Sequence, residues 1–264
     1  MSNNVIEVKD LKTYFSSNSG LIKAVDGISF DVPKGKTFAI VGESGSGKSV
    51  TALSIMRLIP KSKDIITTGK VMFGNVDILK ISEREMTNVR GKEIGMVFQE
   101  PSTSLNPVMK IGDQVGEVVM IHNGLKKRQA KEKAVDMLGK LGIVSPETII
   151  DKYPHQMSGG MKQRIMIAMA LICTPKLLIA DEPTTSLDVT IQAVIIDIIK
   201  RLQTTLNMSI IFITHDLGVV AEVADYVAVM KNGKIVENTD VKTFFRNPKH
   251  PYSIKLLNDS NTDS

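Results

Sequence analysis

The sequence predicts an α/β protein built on a mostly parallel sheet, and two observations carry this prediction. Short apolar runs typical of buried strands alternate with helical segments from residue 36 onward. One of these runs leads through a glycine-rich loop directly into a helix, which is the arrangement of a βα unit. Segments typical of exposed, antiparallel strands stand at both ends of the chain.

The first half of the chain is predicted to begin with strands. Residues 5–15 and 22–32 carry β-branched and aromatic side chains in rough alternation, which indicates two strands joined by a loop. Residues 36–42 form a short apolar run typical of a buried strand, and a helical segment at 48–59 follows the glycine-rich loop. Residues 69–78 indicate another exposed strand pair.

The second half alternates between buried strands and helices, with one block of helical segments separated by loops that contain Pro and Gly. That block covers about residues 100–157 and predicts a helical insertion. The elements around it are a strand at 93–99, a helix from 159, a strand at 176–182, a helix at 191–206, a strand at 209–215, and a strand pair within 226–238 that turns at Asn232 and Gly233.

Composition limits the class of protein without identifying it. The single cysteine, Cys173, excludes an internal disulfide framework and fits a reducing compartment. No apolar run is long enough to cross a bilayer, and the N-terminus lacks the pattern of a secretion signal. The net charge of +5 comes from scattered basic residues, and the chain has no Trp, so a nucleic-acid surface is not expected.

The strongest motif is the glycine-rich loop at residues 42–49, which reads GESGSGKS and matches the phosphate-loop pattern G-x-x-x-x-G-K-[ST] in full. Its glycines allow the backbone to curl so that successive N–H groups face one anion. We expect Lys48 to reach the β- and γ-phosphates of a nucleotide, and the hydroxyl of Ser49 to bind Mg²⁺.

A pair of carboxylates ends the predicted strand at 176–182. Asp181 is placed to hold the Mg²⁺ shell, and Glu182 is placed to polarise a water for attack on the γ-phosphate. With the phosphate loop, this pair indicates a nucleoside triphosphatase. The sequence has no guanine-reading N-K-x-D, which counts against a GTPase and leaves kinases, helicases and transport ATPases open.

A second glycine motif, MSGGMKQR at residues 157–164, opens a helix. Such a start presents backbone N–H groups and the positive end of the helix dipole, a combination suited to an anion. The stretch resembles the signature motif of ATP-binding cassette (ABC) ATPases, usually written L-S-G-G-Q, and it precedes the carboxylate strand as in that family.

Further residues extend this resemblance over nearly the whole chain. Gln99 resembles the family's Q-loop glutamine, the SLD stretch at 186–188 its D-loop, and His215 its switch histidine. Phe15 stands where the family has an aromatic that stacks on adenine, with Tyr14 as the alternative. The resemblance identifies the chain as a member of the ABC ATPases.

The resemblance implies the P-loop ABC ATPase fold, in which a mostly parallel core sheet carries an antiparallel β subdomain and a helical subdomain. It implies one ATPase domain over residues 1–264, with a RecA-like core at 1–99 and 158–240. The helical subdomain is expected at about 100–157 and a short C-terminal extension at 241–264.

The resemblance also implies a role for each matching residue. Catalytic roles fall to Glu182, His215 and Gln99, and Mg²⁺ is assigned to Ser49, Gln99 and Asp181. The residues expected to contact ATP, bound either to this subunit or to a partner, are Phe15, Gly42, Glu43, Ser44, Gly45, Ser46, Gly47, Lys48, Ser49, Val50, Ser158, Gly159, Gly160 and Asp188.

In this family two ATPase subunits meet head to tail, and each ATP lies between the phosphate loop of one and the signature helix of the other. The implied partners are therefore a second ABC ATPase subunit (a paralogue or a second copy), two integral membrane permease subunits and a substrate-binding protein, without nucleic acid. The implied location is the cytoplasmic side of the membrane. We expect residues 99–107 to contact the membrane subunits.

Three segments are similar to one subfamily, the ATPase subunits of oligopeptide, dipeptide and nickel importers: SGGM at 158–161, FQEPSTSLNPV at 98–108 and RNPKHPYSIKLL at 246–257. Met161 departs from the usual signature Gln, but Ser158 and both glycines remain, so we expect activity to survive. Many peptide members continue into a cysteine-containing tail that can bind an iron–sulfur cluster. This sequence ends at Ser264 without those cysteines, which favours the nickel or metal-chelate branch without excluding peptides.

Other classes of cassette protein fit the sequence less well. A cassette ATPase of DNA repair or chromosome structure carries a long coiled-coil insertion, whereas the block between Gln99 and Ser158 has no sustained heptads. A translation-type protein carries two cassettes in one chain. A non-catalytic regulatory cassette has degenerate residues where this chain keeps Glu182 and His215.

Overall fold

The computed structural model describes residues 3–17, 20–185 and 188–262, with side chains undescribed at residues 102 and 260–262. The chain forms two compact units, one of Met1–Met86 and Ser209–Ser264, the other of Thr87–Met208. Within the described ranges, no helix is both long enough and apolar enough to cross a membrane.

The strands and helices of the described residues have the following bounds, in chain order. They are β1 (Asn4–Ser17), β2 (Gly20–Pro33), β3 (Thr37–Val41), α1 (Lys48–Ile55), β4 (Ile65–Phe73), β5 (Val76–Asp77), α2 (Glu83–Val89), β6 (Ile94–Val97), α3 (Pro101–Ser104), α4 (Ile111–Asn123), α5 (Lys127–Lys140), α6 (Pro146–Ile149), a 3-10 turn (Pro154–Gln156), α7 (Gly159–Leu171), β7 (Leu177–Asp181), α8 (Val189–Leu206), β8 (Ser209–Ile213), α9 (Leu217–Val223), β9 (Tyr226–Lys231), β10 (Lys234–Asp240), α10 (Val241–Arg246) and α11 (Pro251–Thr262).

The first unit holds an antiparallel sheet of order β2-β1-β4-β5 and a second group of strands in the order β10-β9-β3-β8. β3 runs parallel to both of its neighbours, with Ile40 opposite Ile213 and Ala228. Every residue of β3 and β8 is buried, which explains their unbroken apolar runs. Because parallel neighbours end at one edge of a sheet, the loops that follow β3 and β8 leave from the same edge.

The second unit pairs β6 with β7 in parallel and packs helices against them. α7 lies so close to β6 that a Cβ at Gly95 would lie 2.3 Å from the carbonyl oxygen of Ala170. α4 and α5 pack against each other and against α7, with Gly116 facing Ala130. The α/β prediction is confirmed, and the helices α3 to α6 fall within the block expected to be helical. The proposed subdomain boundaries stay a prediction.

α1 is shorter than its sequence pattern predicts, since it ends at Ile55 and not at residue 59. Arg57 adopts a left-handed backbone with φ of 51°. Its guanidinium donates to the carbonyl oxygens of Ile78 and Ile81 at 3.3 and 2.7 Å. These tertiary bonds take Arg57 out of the helical conformation, and no local pattern in the sequence reveals them.

Gly95→Ala is expected to lower the free energy of unfolding by about 1–3 kcal/mol, because its Cβ would overlap the carbonyl group of Ala170 and push β6 away from α7. Gly139→Ala is the matched control. The nearest atom to its Cβ would be 3.9 Å away, so the gain in helix propensity should stabilise α5 by up to about 1 kcal/mol. Denaturant unfolding measures both variants, and equal stabilities would contradict the close packing at Gly95.

Candidate nucleotide site

The phosphate loop connects β3 to α1 and takes its shape from glycine. Gly42, Gly45 and Gly47 have φ values of 151°, 77° and 106°, which residues with a Cβ rarely adopt. Within the described chain no side chain caps α1 at Gly47. The helix therefore opens with its backbone donors and the positive end of its dipole on the loop side, as an anion site requires.

Two of these glycines are also required by packing. A Cβ at Gly42 would lie 2.2 Å from the carbonyl oxygen of Met230, and a Cβ at Gly47 would lie 2.2 Å from that of Ala24. Both neighbours are backbone atoms of strands and cannot move aside without disturbing the sheets. The loop therefore packs closely against strands at both of its ends, with Gly42 against β9 and Gly47 against β2.

The side chains of the loop suit a phosphate group. Lys48 is only 5% exposed, and its ammonium donates to the carbonyl oxygens of Gly42 and Glu43 at 2.7 and 3.0 Å. The hydroxyl of Ser46 is buried and has no hydrogen-bond partner among the described residues. The loop thus offers three kinds of hydrogen-bond donor to the oxygens of a phosphate: its backbone N–H groups, the Lys48 ammonium and the Ser46 hydroxyl.

His215 leaves the edge of the sheet from which the phosphate loop also departs. β8 ends at Ile213, so His215 lies two residues past the strand that the sequence predicts to reach it. The N–H of the intervening Thr214 donates to the carbonyl oxygen of Ile40 at 3.3 Å, which fixes the chain beside the end of β3. The His215 side chain is exposed.

The geometry of β1 favours Phe15 over Tyr14 as the adenine-stacking residue. Side chains alternate along β1, so Phe15 shares the face of Thr13, whose hydroxyl lies 2.7 Å from that of Ser54 in α1. Tyr14 points to the other face and donates to the carboxylate of Asp26, and this bond lowers the pKa of that carboxylate. Phe15 thus lies on the side of the phosphate-loop helix, and its role stays a prediction.

In the second unit the structure brings together two of the predicted catalytic side chains. The amide of Gln99 donates to the carboxylate of Glu182 at 3.1 Å, and the hydroxyl of Thr185 donates to the same oxygen at 2.8 Å. Glu182 has a positive φ of 47°, an uncommon conformation that is often found at functional sites. Asp181, the last residue of β7, is only 5% exposed. β6 ends at Val97, so Gln99 also lies just past its strand.

The signature motif forms the start of α7 as expected. Ser158 is the N-cap, and its hydroxyl accepts a hydrogen bond from the N–H of Met161 at 3.3 Å. Ser158 and Gly159 are exposed, which leaves this helix end accessible. A Cβ at Gly160 would lie 2.9 Å from the side chain of Ile191, so the glycine allows α7 to approach α8. Met161 contributes its backbone to the cap, and a Gln at this position would make the same bond.

The predicted D-loop is described only in part, because Ser186 and Leu187 lie outside the described residues. Asp188 is exposed and caps α8, where its carboxylate accepts from the N–H of Ile191 at 2.9 Å. Its predicted role toward a second subunit is not tested by this contact.

Two side chains that the sequence analysis did not single out support this region. Thr185 holds the carboxylate of Glu182, as described above. Gln163 of α7 is buried and donates to the carbonyl oxygen of Pro183, which connects the signature helix to the loop after β7. In the sequence, Gln163 is a polar residue on an otherwise apolar face of α7. Such a residue could have indicated this contact, because a buried amide needs a hydrogen-bond partner.

A phosphate loop after one buried parallel strand and a carboxylate pair after another define a P-loop nucleoside triphosphatase. A family model described as ABC transporter matches residues 25–185, which is more than half of the chain. The protein therefore belongs to the ABC transporter family and is an ATPase.

Curated relatives share about half of their residues with this chain. The oligopeptide transport ATP-binding protein OppD of Bacillus subtilis is 55% identical over 96% of this chain and 71% of its own length. The dipeptide transport ATP-binding protein DppD of the same organism is 51% identical over 96% of this chain and 76% of its own length. Both names concern peptides, so the preference for the nickel branch finds no support here.

Solved structures agree with the fold. A dimeric bacterial ABC transporter cassette superposes with a TM-score of 0.79 at 25% identity, covering 89% of this chain and 98% of the other. The cbiO1 protein of Clostridium perfringens, part of the transporter complex cbiONQ, gives a TM-score of 0.77 at 29% identity, covering 93% and 92%. The predicted ABC ATPase fold is confirmed, and these comparisons lend no support to a nucleic-acid machine.

Gly42→Ala is expected to abolish measurable ATP binding, because its Cβ would meet the carbonyl oxygen of Met230 and displace the start of the loop. Gly74→Ala is the control, since Gly74 also has a positive φ but lies in the β4–β5 turn with no atom within 4 Å of a Cβ. Isothermal titration with ATP compares the two variants. Unchanged affinity in Gly42→Ala would contradict the packing that shapes the loop.

Proposed function

We propose that the protein is the ATP-hydrolysing subunit that powers an importer of peptides across the cytoplasmic membrane. The observation that carries the proposal is the 55% identity with an oligopeptide transport ATP-binding protein over nearly the whole chain. The intact phosphate loop and the paired Gln99 and Glu182 support an active ATPase. Peptides are preferred to nickel chelates because the two curated relatives compared above are named for peptide transport.

ATP binding falls to the phosphate loop and to β1. The glycine-rich loop at residues 42–49 holds the phosphates, and Lys48 contributes the charge nearest to the transferred group. Ser49 and Val50 add the first-turn donors of α1. Phe15 stacks on adenine from the face of β1 that it shares with Thr13.

Mg²⁺ is assigned to Ser49, Gln99 and Asp181. Among the described residues there is no group of three or more His, Cys, Asp or Glu side chains that could hold a metal ion. The three assigned residues include one carboxylate, and they fit Mg²⁺ because proteins hold this ion through one or two carboxylates while phosphate oxygens and water complete its shell. When bound, the ion neutralises charge on the phosphates.

Hydrolysis requires a positioned water and a base. The oxygen of water attacks the γ-phosphorus, the bond from that phosphorus to the bridging oxygen breaks, and ADP and phosphate result. The carboxylate of Glu182 accepts the proton of the water, and Gln99 and Thr185 keep that carboxylate in one orientation. His215 contacts the γ-phosphate and the water.

Assembly supplies the remaining donors. Two ATPase subunits, either paralogues or two copies, associate head to tail, and Ser158, Gly159 and Gly160 bind the γ-phosphate held by the other subunit. Asp188 couples the two sites. The other partners are two membrane permease subunits, which residues 99–107 contact, and a substrate-binding protein. The chain is then peripheral to the membrane on its cytoplasmic side.

Glu182→Gln should bind ATP normally but lower its turnover at least about 100-fold, since the amide cannot accept the proton of water. The steady-state rate of phosphate release, measured on the complete complex, tests this. Glu147→Gln makes the same change at an exposed helix position and should leave turnover unaltered. Full turnover in Glu182→Gln would refute the role of Glu182.

Ser158→Arg should leave the ATP affinity of the isolated chain unchanged and abolish turnover of the assembled complex, because the bulky cation obstructs the end of α7 that faces the partner. Ser158→Thr keeps the capping hydroxyl and should remain active. Normal turnover in an assembled Ser158→Arg complex would overturn the proposed contact with the partner's ATP.

The substrate class is tested by transport into vesicles that contain the complete complex. ATP-dependent uptake of labelled oligopeptides is expected, and uptake of labelled Ni²⁺ chelates is not. Uptake of the chelates alone would overturn the peptide assignment and leave the ATPase assignment intact.

A further inference from the structure

The segment His250-Pro251-Tyr252 has a defined structural role at the start of α11. The ring Nδ1 of His250 accepts a hydrogen bond from the N–H of Tyr252 at 3.1 Å, and its carbonyl oxygen accepts from Ile254 at 3.1 Å. Pro251 occupies the first helical position, where its missing N–H costs nothing. The three residues thus form a cap that sets where the helix begins.

Glu237 of β10 anchors this cap to the sheet. Its two carboxylate oxygens accept the N–H groups of Lys249 and His250, both at 2.9 Å. Burial by itself raises the pKa of Glu237, but hydrogen bonds that include these two outweigh burial and lower the pKa. The carboxylate is therefore ionised near neutral pH, when it accepts both bonds most strongly.

The position of this cap places the Tyr252 side chain next to the phosphate loop. The Tyr252 side chain is only 5% exposed, and it packs in one core cluster with Val41, Val229 and Phe244. Its hydroxyl oxygen accepts a hydrogen bond from the N–H of Glu43, the second residue of the loop, at 3.2 Å. The ammonium of Lys231 lies 4.4 Å from the centre of the tyrosine ring.

Two other contacts hold the same loop from behind. The N–H of Gly233, in the β9–β10 turn, donates to the carbonyl oxygen of Ser46 at 2.9 Å. Gly42 packs against the carbonyl group of Met230. The third contact with the loop is that of Tyr252, whose hydroxyl accepts the hydrogen bond from the Glu43 N–H group.

We propose that Tyr252 is a positioning residue for ATP binding, which holds the phosphate loop in its binding conformation through the Glu43 N–H group. The proposal rests on the phosphate-binding function proposed above for this loop. A loop that is already held in shape loses less conformational freedom when phosphate binds, so the hydroxyl raises affinity without touching the nucleotide. The His-Pro-Tyr segment then links the C-terminal helix α11 to the nucleotide site.

The test is Tyr252→Phe in the full chain, which removes the hydroxyl and keeps the ring. The expected result is a rise of about three- to tenfold in the Kd for Mg²⁺-ATP, the range that corresponds to one lost hydrogen bond. In the assembled complex the KM for ATP should rise by a similar factor while kcat changes less than twofold. A purely structural role would instead lower the thermal unfolding midpoint of the nucleotide-free chain and leave the Kd of the folded fraction unchanged.

Two further variants distinguish a failure of the Tyr252 proposal from a failure of the phosphate-loop assignment. Lys231→Met removes the cation above the ring but not the hydroxyl, so its Kd should match that of the wild-type chain. Lys48→Ala should lose ATP binding whatever residue stands at 252. If Lys48→Ala binds ATP normally, the assignment of the phosphate loop fails. If Lys48→Ala loses ATP binding but Tyr252→Phe keeps the Kd of the wild-type chain, the positioning role of Tyr252 is refuted.

Discussion

The nucleotide site depends on one constraint, the contact between the phosphate loop and the backbone behind it. Gly42 and Gly47 lie against the carbonyl oxygens of Met230 and Ala24 with no room for a Cβ. These contacts curl the loop and set the direction in which α1 begins. The buried ammonium of Lys48 stabilises the curled loop, because it donates hydrogen bonds to two of the loop's carbonyl oxygens. Any side chain at either glycine would separate the loop from the strands that support it.

The predicted catalytic groups share one placement, because each lies at or just past the end of a parallel strand. In the first unit, β3 leads to the phosphate loop and β8 to His215, and the two strands are direct neighbours. In the second unit, β6 leads to Gln99 and β7 to Asp181 and Glu182, and these strands also pair directly. The strands fix the backbone, while hydrogen bonds such as those on Glu182 orient the side chains.

The sequence was sufficient to predict the class of the fold and the family, whereas the roles of the predicted site residues stay predictions. Apolar runs located the strands, and the glycine motifs located both helix starts, because these features are local. The contacts that orient the site escaped prediction because they join distant residues: Gln99 and Glu182 are 83 positions apart, and Glu43 and Tyr252 are 209 apart. The early end of α1 has the same origin, since Arg57 bonds to carbonyl groups beyond the next strands. The short helices α2 and α9 carry capping residues, Ser82 with Glu85 and Asp216, that could have revealed them.

Amide hydrogen exchange of the full chain, with and without Mg²⁺ and a non-hydrolysable ATP analogue, reports directly on phosphate binding by the loop. Strong protection of residues 42–50 is expected on binding. Weaker protection is expected at residues 230–234 and 250–254, which contact the loop from behind. Protection at 42–50 that is absent, while the analogue is bound, would contradict the assignment of this loop as the phosphate site.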